Sequence, residues 1–144
     1  MSYTLRPITD ADFDFLFALH EVALGEHVRA IWGWDPAFQL DFFRKQFRRV
    51  PASVVIVDGV DSGMVCIEHL ADRVYLNGIE LHPRVQRRGI GAALVRGVIE
   101  AAAARGLPAT LRVFKINVGA RRLYQRLGFA IVGENETHYD MRCG

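Results

Sequence analysis

QRRGIGAALVRGVIE, residues 86–100, decides the reading of this chain. Two arginines lead into two glycines, and an apolar, alanine-rich run then begins at helical spacing. That order predicts a loop feeding a helix over 89–104, ended by Arg105, a left-handed Gly106 and Pro108. At the mouth of such a helix several backbone N–H groups lack a helical partner, and the helix dipole adds partial positive charge. Glycines at 89 and 91 carry no Cβ to hold a ligand off the backbone. Arg87 and Arg88 add formal charge. The row Arg87, Arg88, Gly89, Ile90, Gly91 and Ala92 therefore suits a pyrophosphate or a similar anion. The loop is not a dinucleotide fingerprint, because Leu94 stands where G-x-G-x-x-G needs its third glycine. Nor is it a Walker loop, which ends in G-K-[ST].

Working outward, residues 3–8 alternate as a strand, and Thr9 with Asp12 forms a capping-box-like start to a helix. Phe13, Leu16, Phe17, His20 and Leu24 share one face of it. IWGWDP (31–36) breaks that pattern. A second helix follows over 36–48, with Phe38, Phe42 and Phe43 expected toward the core and Arg44, Lys45, Arg48 and Arg49 largely outside. SVVIVDG (53–59), MVCIEHL (64–70) and RVYLNGIELH (73–82) are strands, the first two joined by a hairpin connection within VDGVDSG (57–63). Beyond the central helix come a strand at 109–114 and a short helix at 117–129 with Asn117 as its N-cap. A final antiparallel pair covers 130–134 and 137–142. These elements predict an α/β fold in a single domain spanning 1–144. Its mixed, mostly antiparallel sheet of about seven strands carries helices on both faces.

Composition narrows the class further. Of 144 residues, 51% are apolar and 24% charged, which is ordinary globular usage. No apolar run approaches the roughly 18 residues of a membrane span, and MSYTLRPITDAD has no signal-peptide core, so a cytoplasmic protein without membrane attachment is expected. Cys66 and Cys143 match no metal or redox spacing, and the five histidines form no HxxxH pair, so no metal is expected. The net charge of +2 is too balanced for a polybasic nucleic-acid protein. Nucleic-acid binding through RKQFRR (44–49), QRR (86–88) and ARRLYQR (120–126), with its interleaved tyrosine, is a rival reading; the near-neutral net charge counts against it, so no nucleic-acid partner is expected.

QRRGIG at 86–91 resembles the Q/R-x-x-G-x-G/A loop of the GCN5-related N-acetyltransferases, whose backbone grips the pyrophosphate of acetyl-coenzyme A. IELHP (79–83) resembles the strand end and proline before that loop. The family pattern N-x-x-A-x-x-L-Y-x-x-x-G-F is matched by Asn117, Ala120, Leu123, Tyr124, Gly128 and Phe129. The likeness covers the chain and is strongest over 73–129. It implies acetyl-CoA as co-substrate, no metal, and acetyl transfer to a primary amine of a small molecule or peptide by direct attack in a ternary complex. It also implies that Ile79, Glu80 and Leu81 line the thioester and pantetheine arm, that residues 87–92 hold the pyrophosphate, and that Asn117 fixes the cofactor. Tyr124 would stand near sulfur as general acid. Read without the paired motif, Asn117 is an ordinary helix cap and Tyr124 an amphipathic core aromatic.

The acceptor amine must lose a proton, since alkylammonium groups have a pKa of about 10. Glu80 is the first candidate base, placed by strand alternation on the face opposite Ile79 and Leu81, though it could equally be a salt-bridged strand residue. His82, Glu21, His138 and a water relay are the others. The branch of the family that acetylates a ribosomal protein's N-terminus carries a glutamate base five residues before the asparagine. Arg112 stands there, which counts against a protein α-amine as acceptor. Trp32 and Trp34 beside Asp35 offer a wall for a cationic or aromatic amine, or a packed aromatic turn. His138 on the last strand is a further substrate contact. The rival function is a non-catalytic acyl-CoA sensor, which would keep the loop but not need Tyr124. A homodimer through the last strands is left open.

Overall fold

The computed structural model describes residues 2–144. Strand β1 (Thr4–Pro7) enters a 3-10 turn at Asp10–Asp12 and then helix α1 (Phe13–Trp32). The Asp12 carboxylate accepts from the Thr9 backbone N–H at 2.8 Å, the reciprocal half of the expected capping box, and is bridged by Arg6 at 2.8 Å. Helix α2 (Pro36–Arg49) follows, then β2 (Ala52–Val57), β3 (Val60–His69) and β4 (Val74–Leu81). The rest is α3 (Ile90–Ala104), β5 (Ala109–Phe114), α4 (Val118–Arg126), β6 (Ala130–Glu134) and β7 (His138–Cys143). The sheet order is β1-β2-β3-β4-β5-β7-β6. The β4–β5 pairing is parallel, whereas β1–β2, β2–β3, β5–β7 and β6–β7 are antiparallel. The result is the mixed, mostly antiparallel seven-stranded sheet flanked by helices that the sequence predicts.

Two compact units make up the chain: residues up to Cys66 with Ile79–Ile90, and Ile67–Gly78 with Gly91–Gly144. In the first, Leu16, Leu19, Phe43, Val50, Val54, Met64 and Cys66 form the core, with Phe13, Phe17 and Phe47 packed on it. Full burial of a leucine such as Leu16 contributes about 1.5–3 kcal/mol. In the second, α3 ends as its sequence dictates. Gly106 takes φ +67°, its N–H reaches Ala103, and the Leu107 N–H reaches Ala102 at 2.9 Å, closing a Schellman cap.

Three local expectations need correction. Helix α1 runs on through Ile31 and Trp32 and stops only at Gly33, whose φ of +77° no helix continues. The hairpin connection shrinks to Asp58 and Gly59, both at positive φ as a type I′ turn requires, so Val60–Gly63 already belong to β3. On α2, Phe38 and Phe42 are 61% and 47% exposed and stack on each other, while Gln39 and Phe43 point inward. The buried stripe is thus turned by one residue, on a helix that Asp35 caps, its Oδ1 accepting from Ala37 and Phe38 N–H.

Candidate active site

Strand β4 delivers Glu80 inward, in phase with buried Val74 and Leu76 and out of phase with half-buried Ile79 and Leu81, as alternation requires. The carboxylate is met by His20 of α1, whose Nδ1–H donates to Oε1 at 2.6 Å. Both side chains are shielded, at 13% exposure for His20 and 7% for Glu80. The second oxygen, Oε2, is buried without a hydrogen-bond partner. Buried carboxylate oxygens are almost always paired with protein or ordered water, so Oε2 has capacity for a further partner. The His20 ring lies 5.1 Å from Phe43 and 6.2 Å from Trp34. Sequence reasoning put His20 on the apolar face and missed its contact with Glu80. The one signal was a titratable ring in an otherwise apolar stripe.

Behind Glu80 the backbone is crowded. A Cβ on Gly63 of β3 would meet the Glu80 carbonyl oxygen at 2.6 Å and Leu81 Cδ2 at 2.7 Å, so only glycine lets the strands approach here. The His82 N–H donates to the Ser62 carbonyl at 2.8 Å, and its Nδ1 accepts from the Arg84 N–H, capping the 3-10 turn Pro83–Val85. The Gln86 amide donates to Leu81 O at 2.9 Å, tying the loop to the strand end. Arg87 and Gly89 then both adopt left-handed backbone, at φ 62° and 81°. Left-handed turns of this kind can gather backbone N–H groups into an anion-binding concavity. An arginine at positive φ costs about 1 kcal/mol, strain of the kind kept at functional loops. Gly89 is needed for its conformation; the space where its Cβ would stand is open.

Other candidates in the same unit are placed less tellingly. Glu21 lies 3.7 Å from Arg29 on the exposed side of α1. Trp34 is half-buried with the Arg29 guanidinium 5.3 Å over its ring, whereas Trp32 is 61% exposed. Asp35 is occupied as the α2 cap.

In the second unit the β4–β5 ladder runs from Val74↔Ala109 only to Leu76↔Leu111, although β5 continues to Phe114 and keeps β7 along its whole length. Asn117 caps α4, its Oδ1 accepting from the Ala120 N–H at 3.2 Å. The Tyr124 ring packs edge-on to Phe129 at 6.0 Å. Burial pushes the Tyr124 phenol above its ordinary value, so it stays protonated, and a donor, throughout the neutral range. His138 sits with Nδ1 2.7 Å from Thr137 Oγ1 and its ring 4.4 Å from Phe114. Burial, helped by Arg112 and opposed by Asp140, lowers its pKa, which keeps it neutral at pH 7. Arg112 is paired to Asp140 at 2.9 Å across β5–β7.

Residues 14–129 match the family model described as acetyltransferase (GNAT) family. The chain belongs to this family. It is therefore an acetyl-CoA-dependent acyltransferase that acts on an amine. Solved GNAT-fold structures resemble it over nearly full length. PaiA N-acetyltransferase from Thermoplasma acidophilum, in complex with coenzyme A, has a TM-score of 0.78 at 15% identity over 99% of both chains. The ribosomal-protein-S18-alanine N-acetyltransferase of Escherichia coli has 0.70 at 21%, over 99% of this chain and 93% of that one. Arabidopsis thaliana Naa50, with a bisubstrate analogue, has 0.68 at 17%, over 100% and 99%. At these identities the likeness is one of fold. No functionally curated protein matches by sequence.

The left-handed backbone at Arg87 and Gly89 and the open space beside Gly89 leave room for an anion such as the pyrophosphate of this family's co-substrate. Among the described residues no group of three His, Cys, Asp or Glu could hold a metal, and no helix is long and apolar enough to cross a membrane.

Proposed function

We propose that this GNAT enzyme acetylates a primary amine by direct attack in a ternary complex, with Glu80 as general base and Tyr124 as general acid. The observation that carries the reading is the buried, unpartnered Glu80 Oε2. There the carboxylate can accept the ammonium proton, freeing the nitrogen lone pair. Acetyl-CoA supplies an activated acyl group. As the N–C bond forms and the C–S bond breaks, the Tyr124 hydroxyl gives its proton to the departing sulfur, a role its raised pKa keeps available, and the second proton shed by the acylated nitrogen restores the phenol. Backbone N–H groups of Ile79–Leu81 would polarise the carbonyl and pair with the pantetheine amides as an added strand. Arg87, Arg88, Gly89, Ile90, Gly91 and Ala92 would hold the pyrophosphate, and the amide nitrogen of Asn117, left over from its capping oxygen, would reach the cofactor. Trp34 would form the wall for the acceptor, because its ring lies 6.2 Å from that of His20.

The test is coenzyme A release from acetyl-CoA across polyamines, amino acids, aminoglycosides, arylamines and short peptides, run beside Tyr124→Phe. Amine-dependent release that falls about 10²-fold or more in the variant is expected for a general acid. Tight acetyl-CoA binding with no release for any amine, unchanged by Tyr124→Phe, would overturn catalysis in favour of an acyl-CoA sensor.

A further inference from the structure

We propose that His20 is a positioning residue for the base: its Nδ1–H holds Glu80 Oε1, so that Oε2 alone faces the acceptor amine and takes its proton. This deepens the reading of Glu80 as base and rests on it. A lone buried carboxylate is poorly determined as a catalyst. It can rotate about its last torsion, which is broad and nearly two-fold, and it gains little from an environment that solvates neither oxygen. The 2.6 Å contact removes both problems by giving one oxygen a fixed donor and leaving the other no alternative.

The donor is itself held. His20 lies in the interior of α1, so its Cα is set by helical hydrogen bonds, and its ring is packed near Phe43 on α2 and the Trp34 indole. On the other side the Glu80 backbone is pinned against Gly63. Donor and acceptor therefore come from two elements that packing keeps in register, 60 residues apart in sequence. A surface salt bridge would not show this arrangement, since exposed partners are ordered only loosely and are screened by water. In the neutral ring that donates from Nδ1, Nε2 carries the lone pair. A proton taken by Oε2 need not move on to His20 for the amine to attack, so the role assigned is orientation and not relay.

Steady-state kinetics on the full chain test this with His20→Leu, His20→Asn, His20→Gln and Glu80→Gln. Asparagine places an amide N–H where Nδ1–H stands, whereas the glutamine amide reaches the position of Nε2. His20→Leu should lower kcat by about 10- to 100-fold, the cost typical of losing the partner that orients a catalytic group, with KM for acetyl-CoA within about two-fold. His20→Asn should recover kcat to within about three-fold of the parent while His20→Gln does not. Should His20→Leu fail to fold, the Asn and Gln variants carry the comparison. A folded His20→Leu enzyme with parental kcat, or rescue by Gln and not Asn, would overturn the positioning role. Glu80→Gln separates this from the reading beneath it. If that variant keeps parental kcat, Glu80 is not the base; if it is inactive while His20→Leu is normal, only the His20 assignment fails.

Discussion

Two hydrogen-bonded pairs of similar length differ in everything else. His20–Glu80 is 2.6 Å long with side chains 13% and 7% exposed, and Arg112–Asp140 is 2.9 Å long with side chains 43% and 47% exposed. The first lies under packed aromatics with one oxygen unsatisfied. The second faces water across β5 and β7, where every unsatisfied lone pair can find solvent. Proximity alone therefore identifies neither as chemistry. A buried group cannot draw on bulk solvent for a missing partner, so an unpaired oxygen there is a standing cost until a bound water, a ligand or a proton meets it. Arg6–Asp12 falls between them, at 34% and 14% exposure.

That ranking can be broken by stability measurements at pH 7, using urea unfolding midpoints for all three pairs. The largest effect should come from His20→Leu, which strips Glu80 of its one donor and should cost about 3 kcal/mol, as removal of one partner of a buried pair does. Asp12→Ala should cost about 1–2 kcal/mol, since it removes both the bridge to Arg6 and the carboxylate that accepts from Thr9. This middle case also carries a pH signature. Arg6 holds the Asp12 carboxyl down at about 2, below its unfolded value. Its contribution is therefore complete above about pH 4 and is lost as the pH falls through about 2. The Asp12→Ala curve should lack that acid limb. Asp140→Ala should be smallest, below about 0.5–1 kcal/mol, and its effect should fade further in molar salt. An Asp140 effect equal to that of His20→Leu would dissolve the distinction drawn from burial.

Most of the fold could be read from residues 86–142 because their signals are local. The Gly106 cap, the short Asn117 helix and the loop glycines need only a few neighbours to define them. The site was legible in part. Alternation alone put Glu80 on its correct face, but nothing in the spacing of α1 says which strand His20 will meet, since that depends on packing between elements far apart in sequence. Phe38 and Phe42 misled for a related reason. Two phenylalanines at i and i+4 outweigh a glutamine in any apolar count, yet Gln39 occupies the inward face with Phe43. Apolar periodicity reports a face, and it errs when that face must include a polar residue.

Gly63 gives the last consequence, and it concerns evolvability. It has no functional group, touches no acceptor and would be passed over in any inventory of chemistry. Yet a single added carbon there would press on the carbonyl of the residue proposed as the base. In a saturation map of enzyme function, position 63 should accept almost nothing, while exposed Arg88, on the loop proposed to hold the pyrophosphate, should accept many residues with graded loss. The mutational freedom of this enzyme is thus set less by which side chains react than by where its strands have no room to give.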